Sequence, residues 1–430
     1  MELKKQLFGP LYIILGFNIF TLLLFVIAPY DWSRGNPLLV IIYLLINYFF
    51  IFLGYRAGIN KGLKRKIHSN KIFTKVNTKI TSFIFIFYLL TFPIKYAYLL
   101  RFQFFDFSGM FTYLSIGFFD PQLGYNLSVE DNRPHTVSWF IFTLISIVNQ
   151  LVFIFGFLRW RHLKFTFKVI FIFFLILELF YWFGRGTGFG VISLVTTFAV
   201  CFFIQQKSKK INLKIALTYF ILFITVLFFY GSLKNQRSGN NQLDLQEFSH
   251  GLASVDENHY IFDIIPNSIK QTYMHSTSYL TQGYYHLGLS MSLKRNFTST
   301  YLFGNNPATL NVANTFGVDL WKDTYMYKLK LESGVDDVGK WHSSYLWYAN
   351  DVSFYGVPII MFILSYFLSF AYVLILKFDD LLSKFIFVII LNMFIYSFAN
   401  NTYLYHHFYS LSVILIIWYF TRVKLIKSNL

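Results

Sequence analysis

Arg185 stands in Phe183-Gly184-Arg185-Gly186-Thr187-Gly188, a glycine-rich stretch between two apolar runs. Glycines there expose backbone N–H groups and let an anion approach closely, and a helix that follows offers the positive end of its dipole. The same residues also suit a plain two-helix turn whose arginine snorkels to lipid headgroups. Arg237, in Lys234-Asn235-Gln236-Arg237-Ser238-Gly239, opens a long polar segment and with Lys234 hints at an anionic ligand, although a headgroup contact accounts for it equally. His342, in Trp341-His342-Ser343-Ser344-Tyr345, closes that segment. A histidine there either serves the structure or acts on a hydroxyl as a base or positioning group. Lys95 and Glu178 fall inside apolar runs, where charges are costly and face a cavity or a partner. Glu178 precedes Arg185 by seven residues, about 10 Å along a helix. It therefore either supports that arginine from below or pairs with Lys95 in a structural role.

Other chemistries lack their residues. There is no Walker motif and no His-Glu-x-x-His. The single cysteine, Cys201, lies inside an apolar run and leaves no disulfide framework. Asp336-Asp337, the one Asp-Asp pair in the long polar segment, reads as a solvated turn, so neither a metal site nor a cofactor is expected.

These residues are positioned by elements that a membrane dictates. The 430 residues are 56% hydrophobic, 22% aromatic and only 13% charged, with a mean hydropathy of +0.50. Soluble domains carry about 25% charged residues, so soluble enzymes, nucleic-acid binders and disordered chains are excluded together. Ten apolar helices are expected, near residues 7–28, 37–54, 80–100, 137–158, 169–183, 189–205, 215–232, 353–376, 385–400 and 408–421. The first reads as an uncleaved helix rather than a signal peptide. An even number of spans leaves both termini on one side. If that side is cytoplasmic, its loops hold 23 of the 37 Lys and Arg but three of the 20 Asp and Glu, as the positive-inside rule requires. The net charge of +17 then needs no nucleic acid.

The expected fold is all-α and polytopic. Residues 1–232 carry helices one to seven, 233–352 form one large external loop with short amphipathic helices, and 353–430 carry helices eight to ten. In the loop, Tyr273, Leu280, Tyr284, Leu287 and Met291 share a helical face. That helix would lie on the membrane surface or pack over the bundle. Residues 101–136 read as a polar loop after an amphipathic stretch.

An arginine in a glycine-rich turn, a second at the start of one dominant external loop and a histidine at its end resemble the Wzy-type O-antigen and capsular polysaccharide polymerases and the related O-antigen ligases. The resemblance covers most of the chain from about Phe183 onward. The ligase signature is His, then Asn, Ser or Gln, nine residues, then Gly-x-x-Gly. Here His342-Ser343, nine residues and Ser353-Phe354-Tyr355-Gly356 fit, with Ser353 in place of the first glycine. Tyr279-Leu280-Thr281-Gln282-Gly283-Tyr284-Tyr285 also looks like the aromatic helix of polymerase loops.

The resemblance implies a GT-C-like multi-pass protein of a bacterial inner membrane, with both termini cytoplasmic and an active site facing the periplasm. It implies transfer of a growing glycan from undecaprenyl diphosphate to a lipid-linked repeat unit, metal-independent and inverting. Lipid-linked oligosaccharide would be both donor and acceptor, with membrane lipids and a chain-length regulator protein as further partners. His342, Arg185 and Arg237 would be catalytic; Arg185, Arg237, Arg295, Tyr284 and Ser343 would bind substrate. The alternatives are an O-antigen ligase and a lipid-linked oligosaccharide flippase.

Overall fold

A computed structural model describes residues 6–64, 78–100, 107–129, 149–185, 187–206, 225, 231, 253–294, 296–337, 340–398 and 410–420. In chain order the helices are α1 (Gly9–Ile27), α2 (Pro37–Lys64), α3 (Thr78–Leu100), α4 (Phe107–Phe119), α5 (Pro121–Val129), α6 (Phe165–Gly184), α7 (Phe189–Gln205), α8 (Asn267–Met291), α9 (Pro307–Thr315), α10 (Tyr325–Ser333), α11 (Ser344–Phe378) and α12 (Leu381–Ile395). Residues 149–159 and 410–420 are also helical. Among the described residues no strand forms beyond one isolated bridge between Tyr30 and Val255. The protein is therefore a helical membrane protein: α1, α2, α6 and α11 are long and apolar enough to cross a bilayer, and Thr81–Lys95, Phe189–Gln205, Leu381–Ile395 and Ser410–Phe420 are shorter apolar helices.

Local chemistry sets several helix ends. Pro10 sits in the first turn of α1, where a missing N–H costs nothing. Ala28, extended as a residue before proline must be, ends that helix. Asp379 leaves α11 in the left-handed conformation, and the Asp380 side chain caps α12 by accepting from the Ser383 N–H at 3.0 Å.

The chain divides into two compact units, one formed by Met1–Ser69 with Leu243–Leu430 and the other by Asn70–Gln242. In the first unit α2 and α11 touch along their length. Gly54, Gly58 and Gly62 repeat every four residues, and a Cβ on any of them would collide with the Phe362 or Tyr366 carbonyl, the Ser365 or Ser369 hydroxyl, or Val373. Small residues at this spacing let two backbones approach closely inside a bilayer. The stripe explains why α2 runs to Lys64 rather than ending near 54, where its apolar run stops: packing on α11 continues.

Helix α8 confirms the helix expected from Tyr273 to Met291 and packs over the bundle. It is not a short amphipathic helix, because residues 277–290 are buried all round. Gly288 lies against the Gly35 carbonyl in the turn after α1. Tyr285 meets Trp32 at 4.9 Å between ring centres, and Trp32 stacks on Phe25 at 5.3 Å.

In the second unit, part of the segment expected to be a polar loop is helical, as α4 and α5. Gly117 and Gly124 bring both helices onto the backbone of Gly184, at the end of α6. Such contacts follow glycine positions rather than hydropathy, which is why the apolar pattern missed them.

Candidate functional site

His342 precedes Ser343, whose hydroxyl caps α11 by accepting from the Leu346 N–H at 3.4 Å. Both residues are fully buried. The His342 ring centre lies 5.0 Å from that of His286 on α8, and His286 Nδ1 is 2.8 Å from the Trp341 carbonyl oxygen. Burial pushes His342 down to about 4, against the backbone of Asp336 and Asp337 and the Asp336 charge, which favour the cation. Burial and the neighbouring His342 push His286 down to about 3. Both imidazoles are therefore neutral at pH 7, the form in which a histidine accepts a proton.

Of Asp336-Asp337 only Asp336 is solvent-exposed. Asp337 is buried, taking Lys330 Nζ at 2.8 Å on one oxygen and the Trp321 indole N–H at 2.7 Å on the other. Both carboxylate oxygens are thereby engaged.

Tyr284 is fully buried too. Its hydroxyl is 2.9 Å from that of Thr21, and its ring meets the Phe25 ring edge-on at 5.9 Å. It joins a polar seam in which Asn18 Oδ1 accepts from the Ser397 hydroxyl at 2.8 Å and the Tyr345 hydroxyl at 3.3 Å. The tyrosine thus locks α8 to α1 and presents no face to a sugar in this conformation.

Ten residues after Ser343 the helix breaks. Ser353 has φ 59° and ψ 172° inside α11, a region that glycine occupies freely and other residues enter only under strain. Pro358, four residues further on, has no N–H to offer the Phe354 carbonyl, which accepts from the Tyr43 hydroxyl at 3.1 Å instead. Just before it, Asn350 and Asp351 clasp residues 299–305. Asp351 accepts from the Thr300 hydroxyl at 2.6 Å, the Gly304 N–H at 2.9 Å and the Asn305 amide at 3.0 Å. Asn350 donates to the Gly304 carbonyl at 2.8 Å and accepts from the Tyr325 N–H at the same distance.

Arg185 belongs to the second unit and caps the C-terminus of α6, its N–H reaching the Tyr181 carbonyl at 3.2 Å. Its guanidinium carbon lies 5.2 Å from the centre of the Trp182 ring. The Trp182 indole N–H donates to Glu178 at 2.8 Å; Lys95 Nζ lies 2.5 Å from the same carboxylate oxygen, and the Tyr88 hydroxyl donates to the other at 2.9 Å. Of the two readings of Glu178, the structure has the pair with Lys95. Glu178 reaches Arg185 only through the indole, and among the described residues no carboxylate pairs with the arginine. Gly190 of α7 leaves the space that the Trp182 ring occupies.

Arg237 and Arg295 lie outside the described residues. His286, Asn350 and Asp351 are additions to the expected site. Asp351 carried a readable signal, because an acid at the head of an apolar run must find partners. His286 carried none, since the helical stripe marks Tyr284 and Leu287 and passes over it. Comparison with known protein families, with curated proteins and with solved structures finds no match.

Proposed function

We propose that the chain polymerises a bacterial surface polysaccharide, transferring a growing glycan from undecaprenyl diphosphate to a hydroxyl of a lipid-linked repeat unit. One observation carries this reading beyond the motif: the backbone at Ser353 adopts a glycine conformation at the position where the His-Ser-x9-Gly-x-x-Gly signature has its first glycine. The substitution that weakened the sequence match thus sits on a backbone that keeps the signature's demand. Ten spans, a GT-C-like architecture, an inner-membrane location, cytoplasmic termini and a periplasmic active site belong to the same proposal.

In this reaction the bond between the anomeric carbon and the diphosphate oxygen breaks as the acceptor hydroxyl attacks from the opposite face, inverting the centre. The hydroxyl proton passes to His342, which is neutral at pH 7, although burial makes it a weaker base than a free imidazole. The diphosphate leaves with negative charge that Arg185 and Arg237 stabilise, since fixed positive charge where charge develops lowers a barrier most. Arginine presents paired planar donors to phosphate oxygens. Trp182 stacked beneath Arg185 fixes the fork, and Glu178, committed to Lys95, leaves the guanidinium charge for the ligand. His342 is enclosed, so its surroundings must open before an acceptor hydroxyl reaches it.

The test is the product that accumulates on deletion. Loss of the protein should leave single repeat units on their final carrier with no ladder of longer chains, and Arg185→Ala should reproduce that state at normal protein abundance. Full-length polymer stranded on undecaprenyl diphosphate would assign ligase activity instead, and repeat units trapped on the cytoplasmic face would assign a flippase. Purified protein should polymerise lipid-linked repeat units at an unchanged rate in excess EDTA; collapse of the rate, with recovery on adding a divalent cation, would reveal a metal site.

A further inference from the structure

Among the described residues, three of the five non-glycine residues with positive φ cluster around the start of the membrane-crossing part of α11: Ser353, Tyr301 at 54° and Leu302 at 70°. The last two are the centre of a tight turn closed by the Phe303 N–H on the Thr300 carbonyl at 2.9 Å. A turn with positive φ at both central residues calls for Asn and Gly, yet it is made here by a tyrosine and a leucine. Both side chains point outward, 73% and 68% exposed. Strain with no packing return marks a segment whose side chains are needed outside.

Most of the backbone around this turn is satisfied internally. The N–H groups of Thr300, Tyr301, Phe303 and Gly304 donate to the Asn350 carbonyl, the Ser299 hydroxyl, the Thr300 carbonyl and Asp351. The carbonyls of Leu302, Phe303 and Gly304 accept from Asn305, Thr309 and Asn350. Only the Tyr301 carbonyl and the Leu302 N–H at the tip look outward. Backbone groups without partners are too costly for the hydrocarbon core, so this turn suits the interface, where water and headgroups meet the two tip groups.

Its position agrees. Tyr355, Ile359 and Ile363 are exposed by 93%, 57% and 46% and recur every four residues, forming an outward apolar stripe on α11. Asp351, which holds the turn, lies just before the Ser353 break and Tyr355 just after it, so the turn is tied to the end of α11 at which the stripe begins.

The geometry points to a membrane-seated turn: Tyr301 and Leu302 enter the bilayer interface beside Tyr355, and the Asn350–Asp351 clasp sets the depth at which the loop rides. Tyrosine suits headgroup depth and leucine the acyl boundary below it. This inference does not depend on the reaction.

Cys201 is the only cysteine, so a nitroxide can be placed on Leu302→Cys in a Cys201→Ser background, with Asn258→Cys as the reference. The full-length protein is reconstituted in phosphatidylcholine nanodiscs. Collision with oxygen relative to a water-soluble nickel chelate should be several-fold higher at 302 than at 258. Equal ratios would overturn the inference, and so would protection from both reagents, which would mean that protein covers the turn. If the label disturbs the fold, the bare Leu302→Cys thiol should react several-fold more slowly than position 258 with a charged maleimide; equal rates again reject the idea.

Discussion

Ser353 shows how much one dihedral angle can explain. Its conformation costs about 1–3 kcal/mol for a residue with a side chain, and Ser353→Gly should recover part of that. Glycine also loosens the unfolded chain, so the expected gain is about 1 kcal/mol, read as a raised Tm in detergent, whereas Ser353→Val should lower it. A destabilised glycine variant would mean that the serine hydroxyl, not the backbone, is what the position keeps. The two neutral histidines make a second prediction. Each has an ordinary pKa of 6.5, lowered in the folded protein to about 4 for His342 and about 3 for His286. The unfolded chain therefore binds more protons as pH falls below 6.5, and stability, full above that value, is lost toward pH 4. The loss is about 1.4 kcal/mol per pH unit for each histidine. His286→Gln, which keeps a donor for the Trp341 carbonyl, should flatten the fall in Tm between pH 7 and 5, and parallel slopes would show that the pair does not titrate as described. At this scale His342, Arg185 and the Lys95–Glu178 pair were legible, because rare charges and motif spacing stand out in an apolar chain. Asp337, read as solvated, was not, because its partners Lys330 and Trp321 come from separate turns of the loop.

Elements were legible where apolar runs defined them. Phe189–Gln205 has the expected limits, and α1, α3 and α6 fall within four residues of theirs. The apolar run near 353–376 hid a longer helix, because Ser343 supplies a cap ten residues earlier and the polar first turns survive by clasping residues 299–305. The expected spans near 137–158 and 215–232 fall largely outside the described residues. What hydropathy could not supply is contact between elements, and the glycine stripe of α2 is the plainest case. Gly58→Leu should force α2 from the Ser369 hydroxyl and the Tyr366 carbonyl and cost about 3 kcal/mol or more, as overpacking at a rigid contact does. Thermal unfolding monitored by light scattering should show the loss, with Gly16→Leu, whose added Cβ meets nothing, as the control. Equal melting of the two variants would place the α2–α11 contact outside the stable core.

For the whole molecule the first question is orientation. In the proposed orientation, which rests on the charge asymmetry, Asn60 is cytoplasmic and Asn258 external. Cysteines at those positions in a Cys201→Ser background should react with an impermeant maleimide at 258 and not at 60 in intact cells with a permeabilised outer membrane; the reverse would invert the topology. The two-unit division also carries a consequence for biosynthesis. Residues 70–242 are contiguous and can consolidate as they leave the ribosome, but the partner of the Gly54–Gly62 stripe is made roughly 300 residues later, a wait of about 15–60 s at 5–20 residues per second. Through that interval α2 sits in the bilayer with its groove unfilled. A nascent chain stalled before residue 344 should therefore be a client for insertion chaperones and membrane proteases, and release from them should come as α11 arrives.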